Sequence, residues 1–403
     1  MQGGLQSGTV LGGVTVGETL GSGGFGVTYV AHDTKRGRKY ALKEYFPYDF
    51  AARGPDGTVS SRPDCEMQFD LGLKSFVTEA MTLRDLPDQE GLVKVRAAFE
   101  KFGTAYCLME YIEGDPVDRM VPRMLKRYGH IPEEIIRQFT VSIASALAAL
   151  HDNKLIHRDV KPGNVMIRRD GQPILIDFGA ARSLKTRKAS VSMFTRRYAA
   201  IEQFPLEMTN AQTAMREGPW SDLFALSVML YEMATGTLPP DALTRLQAMQ
   251  ADSCDPFVPA REVLAERGGG PGYSAGLLTL IDTGCSLLPQ DRPGDAAAYL
   301  ALMGETLVGG QGRGRARAHF GVAERLRDLG EVLVNSGTAM SRLGAGSAGA
   351  AGGQASALMG AIKGGGAWTR IRDFLRGHGA LAMVGLIVLL ALVVVALGLA
   401  GWI

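Results

Sequence analysis

Along residues 14–45, apolar and polar positions alternate in short runs (VTVGETL, GVTYVAHD, KYALKEYF) broken by glycines. This period of two predicts strands joined by tight turns. Residues 47–73 depart from it: Pro, Gly, Asp and Arg dominate, and the stretch reads as a surface insertion. Helical spacing appears over 74–86, and two more strand-like runs follow at 92–99 and 104–112. From 132 to 300 apolar positions recur mostly at helical intervals, interrupted near 155–182 by short apolar runs (NVMI, PILIDF) around polar turns. A β-rich part followed by a larger helical part predicts an α+β fold of two lobes with a cleft between them.

The pattern changes again at the C-terminal end. Residues 304–378 are rich in Gly, Ala and Arg, with GAGSAGAAGGQASA at 344–357, a composition too poor in apolar surface to offset chain entropy. A flexible linker is expected there, except for a short amphipathic helix suggested by Val322, Leu326, Leu329 and Leu333. Residues 380–403 (ALAMVGLIVLLALVVVALGLAGWI) carry no charge. As a helix they would be about 36 Å long, against about 30 Å of bilayer hydrocarbon. Trp368 and Trp402 fall near the two expected interfaces, and Arg370, Arg372 and Arg376 lie on the N-terminal side. The expectation is one transmembrane helix with that side cytoplasmic. Only Ile403 follows Trp402, so no folded domain is expected beyond the span.

Charge sharpens this division. The net charge of +2 conceals a segment, 311–378, with ten Lys/Arg and four Asp/Glu, hence +6; since 379–403 are uncharged, residues 1–310 sum to −4. A basic stretch beside a span is drawn to anionic headgroups, and it also fits a solvated linker obeying the positive-inside bias. Cys65, Cys107, Cys254 and Cys285 are scattered without metal-ligand spacing, as expected for reduced, mostly buried thiols. The N-terminus, MQGGLQSGTV, lacks the charged start and apolar run of a secretory signal.

Candidate chemistry begins at Gly21-Ser22-Gly23-Gly24-Phe25-Gly26, set between two strand-like runs. Glycines let a hairpin close over phosphates and offer backbone N–H groups to their oxygens. Dinucleotide-binding loops share the spacing, but there the last glycine opens a helix, whereas here a strand continues. Lys43 ends a strand 17 residues after Gly26. Taken alone it is an ordinary surface charge; Glu79, in the helical run FVTEAMTLRDL, is the carboxylate expected to hold it against the α- and β-phosphates. The strongest signal is His157-Arg158-Asp159-Val160-Lys161-Pro162-Gly163-Asn164, with Asp177-Phe178-Gly179 thirteen residues after Asn164. Phosphoryl transfer needs a carboxylate to orient a hydroxyl (Asp159), a cation near the transferred group (Lys161) and oxygen ligands for Mg²⁺ (Asn164 and Asp177). A core histidine and a surface aspartate would leave this ordered spacing unexplained.

On these residues the chain resembles the bacterial eukaryotic-like Ser/Thr protein kinases over residues 14–303. The resemblance implies a bilobal protein kinase fold with ATP between the lobes, and Mg²⁺, with Mn²⁺ as an alternative, as the metal. Leu20, Gly21, Ser22, Gly23, Gly24, Phe25, Gly26, Val27 and Thr28 would form the nucleotide lid. Ala41 and Met166 would sandwich the adenine, Met109 would be the gatekeeper, and Glu110 and Ile112 would meet the base through their backbones. Lys161, two residues after Asp159, matches the Ser/Thr rather than the Tyr class. Thr195 would contact Asp159 and Lys161, Glu202 would pair with Arg292, and Asp222 would brace the catalytic loop. Thr28 stands where a Val usually roofs the adenine, and Ala-Pro-Glu reads Ala200-Ile201-Glu202. The long interval between Lys43 and Glu79 singles out that pairing for scrutiny; Glu66 is a poorer candidate, because its surroundings do not read as helical.

Arg158 is expected to await a phosphate on the activation segment, where Thr186, Ser190 and Ser192 are candidate acceptors. Expected partners are Ser/Thr-bearing proteins, the chain itself through trans-phosphorylation in a dimer, and a bacterial inner membrane; no nucleic acid is expected. Ala396 and Ala400 in the span motivate the dimer. The rival reading, a pseudokinase or tethered scaffold, would be signalled by loss of Lys43, Asp159, Asn164 or Asp177, and all four are present.

Overall fold

The computed structural model describes residues 3–24, 26–33, 35–177, 182–183, 195–209, 215–252, 254–267 and 272–306. Phe25, Phe178, Gly179, Thr186, Ser190, Ser192, the linker from 307 onward, its amphipathic stretch and the apolar run 380–403 lie outside the described residues. Among the described residues no helix is long and apolar enough to cross a membrane.

The N-terminal lobe is a six-stranded antiparallel sheet in the order β1-β2-β3-β4-β8-β7. Its strands are β1 (Val10–Leu11), β2 (Val14–Gly23), β3 (Gly26–Asp33), β4 (Arg38–Tyr45), β7 (Val95–Lys101) and β8 (Thr104–Glu110). Alternation sorts the side chains onto two faces. One face buries Leu11, Val14, Val16, Val27, Tyr29, Ala31, Leu42 and Tyr106 as a core. The register pairs Thr28 with Lys43, Val30 with Ala41, Ala41 with Met109 and Lys43 with Cys107. Directly paired residues share a face, so these six occupy the opposite one. Residues 3–13 join this lobe as well: Arg53 Nε donates to the Gly3 carbonyl at 2.7 Å, and Leu5 N–H donates to Tyr29 Oη at 2.9 Å.

The stretch 47–73 is not surface decoration. The hairpin β5 (Ala51–Arg53) and β6 (Val59–Ser61) closes over Gly54-Pro55-Asp56-Gly57, with Gly54 N–H donating to Thr58 O at 2.8 Å. Helix α1 then runs from Glu66 to Asp85, starting eight residues before the expected 74, so Glu66 does lie on a helix. Ala51 and Val59 pack with Tyr45, Phe46 and Phe69 in a second core cluster, flanked by Tyr48, Leu73 and Phe76. Phe69, Leu73, Phe76, Ala80 and Leu83 recur at helical spacing. Gly72 and the charges around it disguise the first two turns. Gly72 is there because a Cβ would lie 2.0 Å from Tyr45 Oη, whose hydroxyl donates to the Phe69 carbonyl at 3.2 Å. The insertion therefore seats the helix that carries Glu79.

The second lobe opens with β9 (Gly114–Pro116), α2 (Val117–Tyr128) and α3 (Glu133–Asp152), followed by β10 (Leu155–Ile156), β11 (Val165–Arg168), β12 (Pro173–Leu175) and β13 (Arg182–Ser183). Strands β12-β11-β9 form one small sheet and β10-β13 another, and both border the loop His157–Asn164. After α4 (Leu206–Thr209) comes α5 (Pro219–Thr235), then α6 (Ala242–Asp252), α7 (Ala260–Glu266), α8 (Ala275–Gly284) and α9 (Ala296–Ala301). Helix α5 is buried on nearly every side, from Ser221 to Thr235. It starts with Gly218 and Pro219 and stops at Gly236 in the left-handed region, the usual asymmetry of helix ends. All four cysteines are free; Cys107 and Cys285 are buried, but Cys65 is only half-buried and Cys254 is exposed.

Phe69→Ala tests whether the 47–73 segment is structural. Loss of a buried phenyl group costs about 3–5 kcal/mol, whereas a surface change stays within roughly 0.5 kcal/mol. The urea midpoint of the variant is expected to show the larger loss.

Candidate active site

Asp222, in the first turn of α5, organises the loop below the cleft. Its carboxylate accepts the backbone N–H of His157 at 2.9 Å, that of Arg158 at 2.8 Å, and His151 Nε2 at 2.8 Å. Burial alone pushes this carboxyl up, but the His151 hydrogen bond, the two histidines and the backbone donor outweigh it and hold it below the usual carboxylate range. Burial lowers the His157 imidazole despite the nearby carboxylates, which favours its neutral form. Bracing matters here because Arg158 adopts φ +69°, a left-handed conformation that L-residues rarely hold without support.

The loop then delivers a compact cluster. Lys161 Nζ donates to Asp159 Oδ2 at 2.6 Å and to Thr195 Oγ1 at 2.8 Å. Thr195 Oγ1 donates in turn to Asp159 Oδ1 at 2.9 Å. Asn164 Nδ2 donates to Asp159 O at 2.8 Å and Oδ2 at 3.0 Å. The amide nitrogen of Asn164 is thus turned to Asp159, with its oxygen on the other side of the amide. Ile176 N–H donates to Asn164 O at 2.8 Å, tying the approach to Asp177 to the same loop.

Lys43 crosses the cleft to Asp177, whose own φ is +59°. The expected partner was Glu79, and here the expectation needs correcting. Burial pulls the Lys43 ammonium down, while the Asp177 charge and hydrogen bond, with Glu79 behind them, raise it overall. Glu79 lines an apolar recess with Lys43, Phe76, Ala80, Leu83, Val95, Cys107 and Met109. Burial drives its carboxyl well above the ordinary range despite Lys43. Asp177 takes the ion pair.

The expected lid divides by face. Gly21 pairs with Thr28, Ser22 with Val27 and Gly23 with Gly26 across the β2–β3 hairpin. Thr28 lies on the Lys43 face, while Leu20 is exposed. The side chain of Val27, expected in the nucleotide site, is instead buried in the sheet core, as the alternation of β3 requires. Gly26 answers to packing: a Cβ would lie 1.8 Å from the Glu44 carbonyl oxygen. Ala41 and Met109 are cross-strand neighbours, and Met166 on β11 pairs with Pro116, the last residue of β9. The Glu110 N–H donates to Lys94 O at 2.9 Å, and Ile112, two residues on, is buried.

A second clasp steadies the end of the activation segment. Glu202 and Arg292 form a fully buried pair at 2.7 and 3.2 Å, and Ser221 Oγ donates to Glu202 at 2.7 Å. Sequence reasoning missed Gln203 beside it. Its Oε1 accepts from Ala200 N–H at 2.9 Å, and its Nε2 donates to the Arg158 carbonyl at 2.8 Å.

A family model described as protein kinase domain matches residues 14–301. The chain belongs to the protein kinase family. Over 232 residues it is 32% identical to Serine/threonine-protein kinase PknA of Nostoc sp., a match covering 56% of this chain and 38% of that protein. Over 297 residues it is 29% identical to Serine/threonine-protein kinase C of Synechocystis sp., covering 72% of this chain and 49% of that protein. The chain thus spans less than half the length of these two relatives. It is also similar to the solved structure described as PpkA-294 apo form, with a TM-score of 0.61 and 28% identity over 75% of this chain and 100% of that one.

The state of Glu79 makes kinase-domain stability depend on pH. Its folded pKa lies above the unfolded 4.5, so the folded state binds the extra proton and stability falls as pH rises beyond that value. Glu79→Gln removes the ionisable group. The stability of this variant is expected to decline less than that of wild type between pH 5 and about 8, read from urea midpoints across that range.

Proposed function

We propose that this protein is a Ser/Thr protein kinase that moves the γ-phosphoryl group of ATP to Ser and Thr hydroxyls of proteins, its own chain included. The observation that supports this most is the Asp159 carboxylate held by Lys161, Asn164 and Thr195 in one hydrogen-bonded cluster. An incoming hydroxyl is oriented by Asp159, and its oxygen forms the new bond to the γ-phosphorus. The bond from that phosphorus to the β,γ-bridging oxygen breaks, ADP leaves, and the hydroxyl proton passes to the Asp159 carboxylate. Lys161 would offset charge on the transferred group, and Lys43 would meet the α- and β-phosphates.

The donor set fits a magnesium ion. Asn164 offers an amide oxygen and Asp177 a carboxylate, both hard ligands. Among the described residues no group of three or more His, Cys, Asp or Glu forms an all-protein cage. Magnesium commonly takes one or two protein oxygens and completes its shell with phosphates and water. When bound, it would neutralise charge on the β- and γ-phosphates.

Asp159→Ala tests the assignment in a γ-phosphate transfer assay on a generic protein and on the chain itself. Loss of the positioned carboxylate is expected to lower both rates about 10²–10⁴-fold; equal rates would sink the proposal.

The span at 380–403 supports a location on a bacterial inner membrane, kinase domain in the cytoplasm, with the basic 311–378 segment against the anionic leaflet. Deleting 379–403 is expected to move the protein from the membrane pellet to the supernatant on fractionation. Retention in the pellet after a high-salt wash would remove the anchor from this reading.

A further inference from the structure

Arg158 is the side chain expected to wait for an activation-segment phosphate, yet it already has an anionic partner within the fold. Its Nη2 donates to Glu217 Oε1 at 2.6 Å, and its Nε donates to Glu217 Oε2, a two-point fork. Only 7% of the Arg158 side chain and 22% of the Glu217 side chain are exposed, so the pair is largely removed from water. Glu217 precedes Gly218 and Pro219 at the start of α5, five residues before Asp222. One helix start thus grips Arg158 twice, its backbone through Asp222 and its side chain through Glu217. Gln203 holds the Arg158 carbonyl from a third direction.

The rest of the loop is assembled while Glu217 is in place. Asp159 is engaged by Lys161, Asn164 and Thr195, and Thr195 belongs to the far end of the activation segment. A carboxylate that blocked the Arg158 site against activation would be expected beside a disassembled cluster. Here the cluster beside it is complete. Like a phosphate, a carboxylate matches the planar fork of a guanidinium, with about one unit of negative charge in place of about 1.5–2.

We propose that Glu217 is a positioning residue that substitutes for an activation-segment phosphate, holding Arg158 so that phosphoryl transfer does not depend on modification of that segment. The inference rests on the kinase reading above and deepens it, since the enzyme would be ready on folding, with control left to access or location.

The test uses the full chain in detergent, before and after treatment with a protein phosphatase. Wild type and the triple variant Thr186→Ala, Ser190→Ala, Ser192→Ala are expected to keep their initial rates within about twofold, because about 0.4 kcal/mol is all that such a change represents. Glu217→Gln is expected to lower kcat about 10- to 100-fold, the scale of a misplaced catalytic group, with KM for ATP little changed. Its loss should be largest after phosphatase treatment, when no phosphate can take over the Arg158 fork. A wild type inactivated by phosphatase, or a Glu217→Gln variant at or above the wild-type rate, overturns the proposal. If untreated wild type transfers no phosphate at all, the kinase reading fails on its own. The pairing is then judged by thermal denaturation of Arg158→Gln, Glu217→Gln and the double variant: coupled shifts keep Glu217 as the holder of Arg158, and additive shifts remove it.

Discussion

The buried carboxylate of Asp222 is the constraint through which the two halves of the chemistry meet. It sits in the first turn of a helix sheltered on nearly all sides, and it spends its acceptor positions on the backbone of the catalytic loop rather than on a side-chain cation. An anion at a helix N-terminus is favoured by the helix dipole and by the unpaired N–H groups of the first turn. Desolvation works against it, and the His151 contact, the His157 imidazole and the His157 backbone N–H reverse the balance. Backbone at φ +69° in a non-glycine residue can then persist next to the acting aspartate.

Two buried ion pairs stand apart from exposed ones such as Arg84–Asp85 and Arg169–Glu113. Glu202 and Arg292 are wholly buried, and Glu44 is buried with Arg53 at 2.8 Å while accepting from Tyr29 and Tyr106 at 2.9 and 2.7 Å. Buried pairs add little net stability over well-packed apolar groups, but removal of one partner is costly, so they act as registers. The Glu202 pair fixes where the activation segment returns to the lobe. Glu44 follows Lys43 directly on β4, so its network fixes the strand that aims Lys43 into the cleft, and through Arg53 it ties in the 51–61 hairpin and the N-terminal residues.

Much of this was legible in the chain because the catalytic groups come in short, fixed-interval motifs. Asp159, Lys161 and Asn164 fall within six residues, and their mutual hydrogen bonds follow from that closeness. The Thr195, Glu202–Arg292 and Asp222 contacts were accessible only through the family resemblance, which carries long-range pairings that spacing cannot. Partners without a motif stayed hidden. Gln203 and Glu217 are ordinary polar residues in sequence, and their meaning comes from meeting Arg158 across 45 and 59 positions. The start of α1 was obscured for a related reason: Gly72 and Asp70 signal a loop locally, while the aromatic cluster of Tyr45, Phe46 and Phe69 decides the matter in three dimensions.

The same distinction explains Lys43. The sequence motifs point it to Glu79, whereas the fold brings both Glu79 and Asp177 near it. In the fold Glu79 is walled by Phe76, Leu83, Val95 and Met109, where burial raises its carboxyl, while the ion pair with Lys43 goes to Asp177. Phosphate oxygens entering the cleft would compete with Asp177 for the same ammonium. Which carboxylate holds Lys43 is therefore a matter of where each stands in the fold, and not of charge alone.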